Sequence, residues 1–448
     1  MCKKLCETLA DVFRLIDDII AKERPKGLKI KGKREVTQPM IFGNVKLERR
    51  LYEDTTSSDK RYRFLLDEVI GLPGGGQPSP NLLELAIHLI TEESFRETSK
   101  VLDKLGIEIS HQTIHQWKEK LGEERKQEQE NKEQKATTDK IKDETKILFA
   151  ESDAVHVSLQ REKKKNIGIK VGLIHEGWEL QNPARKEKSL VNKEYYAAIQ
   201  SSDTFWEQMQ LMVMDRCDIE KTPVVINTDG DAGLTKGVEY FNKGISQLDR
   251  FHWSKELRQL KVKDKKGYLK IKKAIEQADS DTMNKEFARL LSAKLSWKEK
   301  EETQKLCNYL NRHWQSLRSY YKRDETYLEG IEKDLYDLGA IESAGFRVIA
   351  HRMKGRALAW TIDGADRMAR LLSLKANKQL DEWLEKPGRL WGIENRSPEV
   401  FERAKRHIKQ NTGSGYEPKQ AKLGPMDGPS KSGFRRFLRN ILDDNRVL

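Results

Sequence analysis

The stretch Pro223 to Asp231, PVVINTDGD, restricts the possible folds more than any other part of the chain. Val224, Val225 and Ile226 are consecutive apolar residues bounded by Pro223 on one side and Gly230 on the other. That pattern belongs to a strand buried on both faces, in a parallel or mixed sheet covered by helices. Asp229 follows where the strand ends, before a glycine turn and a helix start. In open α/β sheets, binding and chemistry gather beyond the carboxyl ends of the strands. An Asp-Gly pair after an apolar run is also an ordinary turn signal. The weight of Asp229 therefore depends on acids elsewhere in the chain.

With 448 residues the chain has room for several domains and a sizeable core. Its formal net charge of +13, with 35% charged residues, suits a polyanionic partner: nucleic acid first, an anionic membrane surface second. A basic but merely solvated surface is the alternative. No apolar run is long enough to span a bilayer, and Lys3 and Lys4 lead into an acid-studded helix pattern instead of a signal-peptide core. Cys2, Cys6, Cys217 and Cys307 are too scattered for a disulfide framework, and without a CxxC no structural zinc is expected. The expectation is a cytosolic protein. No GxGxxG, Walker loop or G-x-S-x-G is present.

Along the chain, Leu5, Leu9, Val12, Phe13, Ile16, Ile19 and Ile20 predict an amphipathic helix over residues 3–24. IFGNVKLERRLY and RYRFLLDE, separated by a polar turn, predict a β-hairpin. LPGGGQPSP is a linker, ending in the helix start Ser79-Pro80. Residues 79–121 then read as helices throughout, with Gly106 ending one and Ser110 capping the next, whose apolar face is Ile114, Trp117 and Leu121. This is the layout of a helix-turn-helix, although many helical hairpins never meet DNA. In the DNA-binding case His111, Gln112, Thr113, His115 and Gln116 head the helix that would read base edges. Residues 122–146 are almost free of apolar side chains and read as a charged linker or a solvated helix.

A second domain opens with ILFAESDAVHVSLQ and NIGIKVGLIHEGW as strands joined by the charged turn REKKK. LVNKEYYAAIQ supplies a third strand, TFWEQMQLMVMD a helix, VVINTD a fourth strand, the stretch around Leu234 to Phe241 a second helix and ISQLD a fifth strand. Three strands, helix, strand, helix, strand is the order of a ribonuclease-H-like core. The expected class is thus α/β: such a core over 147–251, an all-α insertion over 252–338, and a last core helix over 339–375. Residues 1–78 precede the helix-turn-helix region, and 376–448 form a C-terminal extension ending in the short helix FRRFLRNILDD. The lysine-rich run KVKDKKGYLKIKK of the insertion suits either a solvated face or a phosphate-binding one.

Asp153 lies inside an apolar strand, facing with Glu151 and Val155. An acid there costs several kcal/mol unless it is paired or chelated. A cationic partner is one reading; ligation of Mg²⁺ or Mn²⁺ beside Asp229 is the other. Glu342 heads a helical stripe through Phe346, Ile349, Met353 and Trp360, while Arg347, His351 and Lys354 face solvent or DNA. Glu342 suits contact with its own helix N-terminus or service as a third metal-binding carboxylate. His156 and His175 read as surface or packing residues, as does His351 apart from any contact with DNA.

The segments ESDAVHVSLQREKKK, TDGDAGL, QLDRFHWSKELR, GAIES with HRMKGRALAW, and HQTIHQW are together similar to the ISLre-type DDE transposases of bacterial insertion sequences, a Mutator-related group. The resemblance covers nearly the whole chain. It implies metal-dependent cleavage at element ends and strand transfer, with two Mg²⁺ or Mn²⁺ ions held by Asp153, Asp229 and Glu342. It makes Asp249 and His252 an accessory pair, and the partners DNA (terminal inverted repeats and target) and further copies of the chain at a bacterial nucleoid. A DNA-binding protein without chemistry and a ribonuclease-H-like nuclease are the competing functions.

Overall fold

The computed structural model describes residues 2–56, 61–70, 77–132, 147–182, 187–293, 296–322, 338–355 and 357–385. The chain divides into two units, Met1–Lys118 with Asp381–Leu448, and Glu119–Leu380. Residues 72–76 of the expected linker LPGGGQPSP and the expected terminal helix FRRFLRNILDD lie outside the described residues.

In the first unit, α1 (Cys2–Glu23) lies on an antiparallel sheet of β1 (Leu28–Met40), β2 (Gly43–Asp54) and the short β3 (Arg61–Arg63). Phe13, Ile16 and Ile20 of α1 close over Tyr52, Leu28, Leu65 and Leu66. Arg50 holds Asp17 at 2.7 Å and Asp18 at 2.6 Å, tying the helix to the sheet. The expected hairpin is displaced: β2 pairs along its length with β1, and RYRFLLDE gives only three strand residues before α2 (Leu65–Ile70). Leu65 and Leu66 are adjacent and both fully buried, which helix accommodates and alternating strand does not. Three helices follow: α3 (Pro80–Glu92), α4 (Phe95–Lys104) and α5 (His111–Lys132). Ser79 caps α3 with Pro80 in its first turn, and Ser94 caps α4 through the Glu97 amide. The linker expected from residue 122 meets the continuation of α5 as far as Lys132, and 133–146 lie outside the described residues.

The second unit holds a mixed five-stranded sheet in the order β10-β9-β4-β5-β8. β4 (Leu148–Ser158), β5 (Asn166–His175) and β8 (Glu194–Ala198) form an antiparallel meander. β9 (Val224–Thr228) lies parallel to β4, and β10 (Gly244–Leu248) parallel to β9. A two-stranded ribbon of β6 (Trp178–Asn182) and β7 (Glu187–Leu190), which the sequence did not signal, projects between β5 and β8. All five residues of β9 are buried, as the apolar run required. α6 (Ser202–Met214) covers one face with Phe205, Trp206, Met209 and Val213, each fully buried and each contributing about 1.5–3 kcal/mol. α7 (Ala232–Thr235) and a 3₁₀ turn, Lys236–Tyr240, lead from β9 to β10.

Among the described residues five α-helices follow β10: α8 (Arg250–Lys263), α9 (Lys265–Gln277), α10 (Ser280–Ser292), α11 (Trp297–Arg312) and the single turn α12 (Trp314–Leu317). They share a core of Trp253, Leu257, Ile271, Met283, Phe287 and Leu310 that also takes in Leu248 of the sheet. The chain returns through α13 (Ala340–Gly345), a π-helical turn at Phe346–Ala350, α14 (His351–Met353) and α15 (Ile362–Ala376). α16 (Leu380–Glu385) ends the described chain. Among the described residues no helix is long and apolar enough to cross a membrane.

Candidate functional site

Three acids stand level across adjacent parallel strands, Asp229 and Asp249 just past the carboxyl ends of β9 and β10 and Asp153 in the middle of β4. The last β4–β9 pair is Glu151 with Asn227, so Asp153 and Asp229 both lie two residues beyond it. The last β9–β10 pair is Thr228 with Leu248, so Asp249 lies one residue beyond, beside Asp229. The Asp249 amide donates to the Thr228 carbonyl at 2.8 Å, carrying the parallel alignment to the acid itself. Gly230 then turns the chain at φ +93°; a Cβ there would meet Leu248 Cδ1 at 2.9 Å, so the turn beside Asp229 requires glycine.

Each acid is held differently. Asp153 is half-buried, and its Oδ1 accepts from the Ala154 amide at 2.7 Å. Burial pushes its carboxyl above the usual range, and the charges of Asp229 and Asp249 push the same way against His252. Asp229 Oδ1 accepts from the Asp231 amide at 2.8 Å, and the Tyr309 hydroxyl donates to the Asp229 carbonyl at 3.1 Å. Burial and Asp229 push the Tyr309 phenol up to about 12, so it remains a donor. Asp231 itself caps α7 through the amides of Gly233 and Leu234.

Asp249 is buried and caps α8 through the Phe251 amide at 3.0 Å, leaving Oδ2 at 3.2 Å from His252 Nδ1. The other ring nitrogen, Nε2, lies 3.3 Å from Glu342 Oε1. The hydrogen bond that His252 Nδ1 donates to Asp249 raises the His252 pKa above its ordinary value. Burial, then the Asp153 charge, raises the Glu342 carboxyl. One ligand atom each from Asp153, His252 and Glu342 lie within 4.8 Å of one another. Two carboxylates and one imidazole form a donor set that suits a divalent cation. Of the residues the sequence singled out for a metal, the structure gathers Asp153 and Glu342 with His252, while Asp229 stands on the neighbouring strand outside that cluster.

The face of Glu342 differs from the sequence expectation. The buried stripe runs through Ile341, Ala344, Gly345, Val348, Ile349, Arg352 and Met353, one residue off the expected one. It buries more apolar surface and leaves the Glu342 side chain 34% exposed over the site. Phe346, expected inward, is 61% exposed, whereas Ile349, Met353 and Trp360 are buried as expected. Arg347, His351 and Lys354 are exposed. The π-helical turn brings the His351 ring against Phe346, with centroids 6.2 Å apart.

In the first unit, Ser110 Oγ caps α5 by accepting from the Thr113 amide at 3.1 Å, with the Thr113 hydroxyl 2.9 Å away. Thr113 is thereby occupied in the cap, while His111, Gln112, His115 and Gln116 are exposed. These four and Phe95 line a concavity of about 350 Å³.

The sequence places Glu151 on the face of Asp153 and reads His175 as a surface or packing residue. Both are completely buried and hydrogen-bonded to each other at 3.1 Å. The available signal was a charged residue amid the run LFAESDAV, which asks for partners the sequence does not locate.

A UPF0236 protein in the vanSb 3′ region of Streptococcus gallolyticus is 26% identical over 390 residues, covering 84% of this chain and 81% of its own. A UPF0236 protein of Caldanaerobacter subterraneus subsp. tengcongensis is 24% identical over 412 residues, covering 91% of this chain and 83% of its own. Among solved structures, the Drosophila P element transposase strand transfer complex is similar at 12% identity, over 84% of this chain and 94% of that one, with a TM-score of 0.25. An overlap that loose leaves the fold to be judged from the sheet itself. Residues 1–386 match the Uncharacterised protein family (UPF0236), and the chain belongs to that family.

Proposed function

We propose that this protein is a DDE-type transposase of the ISLre kind, cutting DNA at element ends and transferring the freed 3′ strand to a target. The observation that carries the reading is the row Asp153, Asp229 and Asp249 across three parallel strands, with His252 and Glu342 brought over it. The strand order β10-β9-β4-β5-β8, an antiparallel meander followed by two strands parallel to its first, supports a ribonuclease-H-like core. The helices between β10 and α13 take the place of the all-α insertion. A relative from Caldanaerobacter subterraneus, 24% identical over 412 residues, has a name that joins eleven locus designations of one genome. A coding sequence repeated that often is what an element that copies itself leaves behind.

On this reading Asp153, Asp229 and Glu342 hold two Mg²⁺ or Mn²⁺ ions. When bound, such ions activate the attacking hydroxyl and stabilise the leaving oxygen of a phosphodiester. Asp249 orients His252 through Nδ1, and His252 in turn steadies the Glu342 carboxylate through Nε2. The exposed Arg347, His351 and Lys354 lie on the stretch that follows Glu342 and would contact the DNA backbone. The net charge of +13 supports polyanion binding. The start of α5, with Gln112 and Gln116 exposed, would read base edges as the second helix of a helix-turn-helix.

The test is incubation of the purified protein in Mg²⁺ with a duplex carrying the DNA that flanks its gene, beside a second, unrelated duplex. Nicking at the element end, followed by joining of the 3′ end to the second duplex, is expected. Asp153→Asn, Asp229→Asn and Glu342→Gln should each remove both steps while leaving binding intact. Binding without cleavage in either Mg²⁺ or Mn²⁺ leaves a DNA-binding protein. Cleavage without joining leaves a nuclease.

A further inference from the structure

The proposed reaction leaves one completely buried acid unused, and its surroundings account for it. Glu151 sits on β4 two residues before Asp153. Its Oε2 accepts from Asn227 Nδ2 at 2.8 Å and from the Gly339 amide at 2.8 Å. Its Oε1 accepts from the Ala340 amide at 3.2 Å and faces His175 Nε2 at 3.1 Å. The tautomer of His175 follows from its other nitrogen: the Gly177 amide donates to Nδ1 at 3.1 Å, so the ring proton is on Nε2 and points at Glu151. Four donors on two oxygens fill the lone-pair positions of a carboxylate. Glu151 therefore has nothing left to offer a metal ion and cannot stand in for Asp153.

Two of the four donors are the first amides of the helix that carries Glu342. Gly339 stands at the cap position just before that helix; its φ of +103° suits glycine, and it brings no side chain to cap the turn. The missing cap comes from another part of the chain. Asn227 and His175 fix the same carboxylate to β9 and β5, on either side of β4.

We infer that Glu151 is the positioning residue for Glu342: its carboxylate caps the Glu342 helix from the sheet and locks it to the strands bearing Asp153 and Asp229. The effect on cleavage rests on the function proposed above, whereas the capping stands on this geometry alone.

The test is Glu151→Gln, read by amide hydrogen exchange and by cleavage of end-bearing DNA in Mg²⁺. A glutamine has one acceptor oxygen, and its NH₂ would meet N–H groups that are themselves donors. The amides of residues 339–342 should exchange at least about tenfold faster relative to those of β4 and β9. The cleavage rate at saturating DNA should fall about 10- to 100-fold, with half-saturation unchanged within about twofold. Glu342→Gln should remove cleavage without changing exchange at 339–342. Unchanged exchange in Glu151→Gln overturns the inference, and lost cleavage with unchanged exchange would instead place Glu151 in the reaction itself. If the wild-type protein cuts no DNA, the proposed function fails and the exchange measurement still decides the capping. Should Glu151→Gln not fold, Glu151→Asp, shorter by one methylene and unable to reach strands and helix together, is read in the same way.

Discussion

His252 Nε2 stands 3.3 Å from Glu342 Oε1, and the opposite ring nitrogen stands 3.2 Å from Asp249 Oδ2. The imidazole thus joins the first helix after the sheet to the helix that closes the site. On the reading proposed above, the pair Asp249 and His252 acts by orientation.

Asp249→Asn therefore tests the ring and not the ligands. The substitution keeps the cap on the Phe251 amide, since an amide oxygen accepts as well, but weakens the hold on His252 Nδ1. Cleavage should slow by about 10- to 100-fold, the range for groups that orient a ligand, with DNA affinity unchanged. A variant that cleaves at the wild-type rate in single-turnover assays would remove Asp249 from the site.

Asp153→Asn should make the metal-free protein more stable. Burial, with Asp229 and Asp249 adding, raises the Asp153 carboxyl above its usual range. An acid whose pKa rises on folding costs stability once the pH exceeds its unfolded value of about 3.9. The neutral amide removes that cost. In EDTA at pH 7 the variant should gain about 1 kcal/mol, about 2–4 °C in Tm. Below about pH 4, where the wild-type carboxyl is protonated in both states, the gain should vanish. A lower Tm than wild type at pH 7 would show that Asp153 is held by favourable partners instead.

Asp264 gives the opposite sign. It caps α9 through the Gly267 amide at 3.0 Å and pairs with Arg289, and these hold its carboxyl below the usual range, the amide foremost. A depressed carboxyl contributes stability above its unfolded pKa and loses that contribution as pH falls through the folded value. Asp264→Asn should cost a few tenths of a kcal/mol at pH 7, since asparagine caps about as well and the lost pairing with Arg289 is screened by solvent, and the difference should close on acidification below about pH 4. Denaturant titrations at both pH values measure it; a gap that persists in acid would assign the loss to packing.

At the start of α5, Gln112 and Thr113 should now behave differently. Gln112 is exposed, and its replacement by Ala should reduce preference for element-end DNA by about 1–3 kcal/mol without affecting stability. Thr113 is committed to the Ser110 cap. Thr113→Ala should mainly lower thermal stability, by a part of the 0.5–2 kcal/mol or so that a cap contributes. Competition binding beside melting curves separates the two, and equal loss on specific and random DNA for Gln112→Ala would mean phosphate contact only.

The strands of the second unit were legible because apolar runs mark buried strands: β4, β5, β8, β9 and β10 all lie where the pattern put them. Asp153, Asp229 and Glu342 were legible as acids at conspicuous positions. Other features were hidden for identifiable reasons. β1 reads LKIKGKREVTQPM, with five charged residues among thirteen and no sustained apolar alternation, so its pairing depends on β2 and α1 and not on its own periodicity. The Glu342 stripe was misjudged by one residue because Ala344, Gly345 and Val348 are as buriable as their neighbours, and the π-helical turn adds a residue to the count. Glu151 was hidden most deeply, since a buried carboxylate declares only that it needs partners, and its helix partners come from far along the chain.

That distance has a consequence for the way the protein is made. Glu151 and the Gly339 amide it caps are separated by 188 residues, with the helices α8 to α12 spelled out between them. A polypeptide still emerging from the ribosome can assemble the strands bearing Asp153, Asp229 and Asp249 long before the Glu342 helix exists to be capped. On the proposed reading such a chain grips DNA without severing it. On that same reading, a frameshift in those helices would leave a fragment that holds DNA and does not cut it, because the residues completing the site are translated after them.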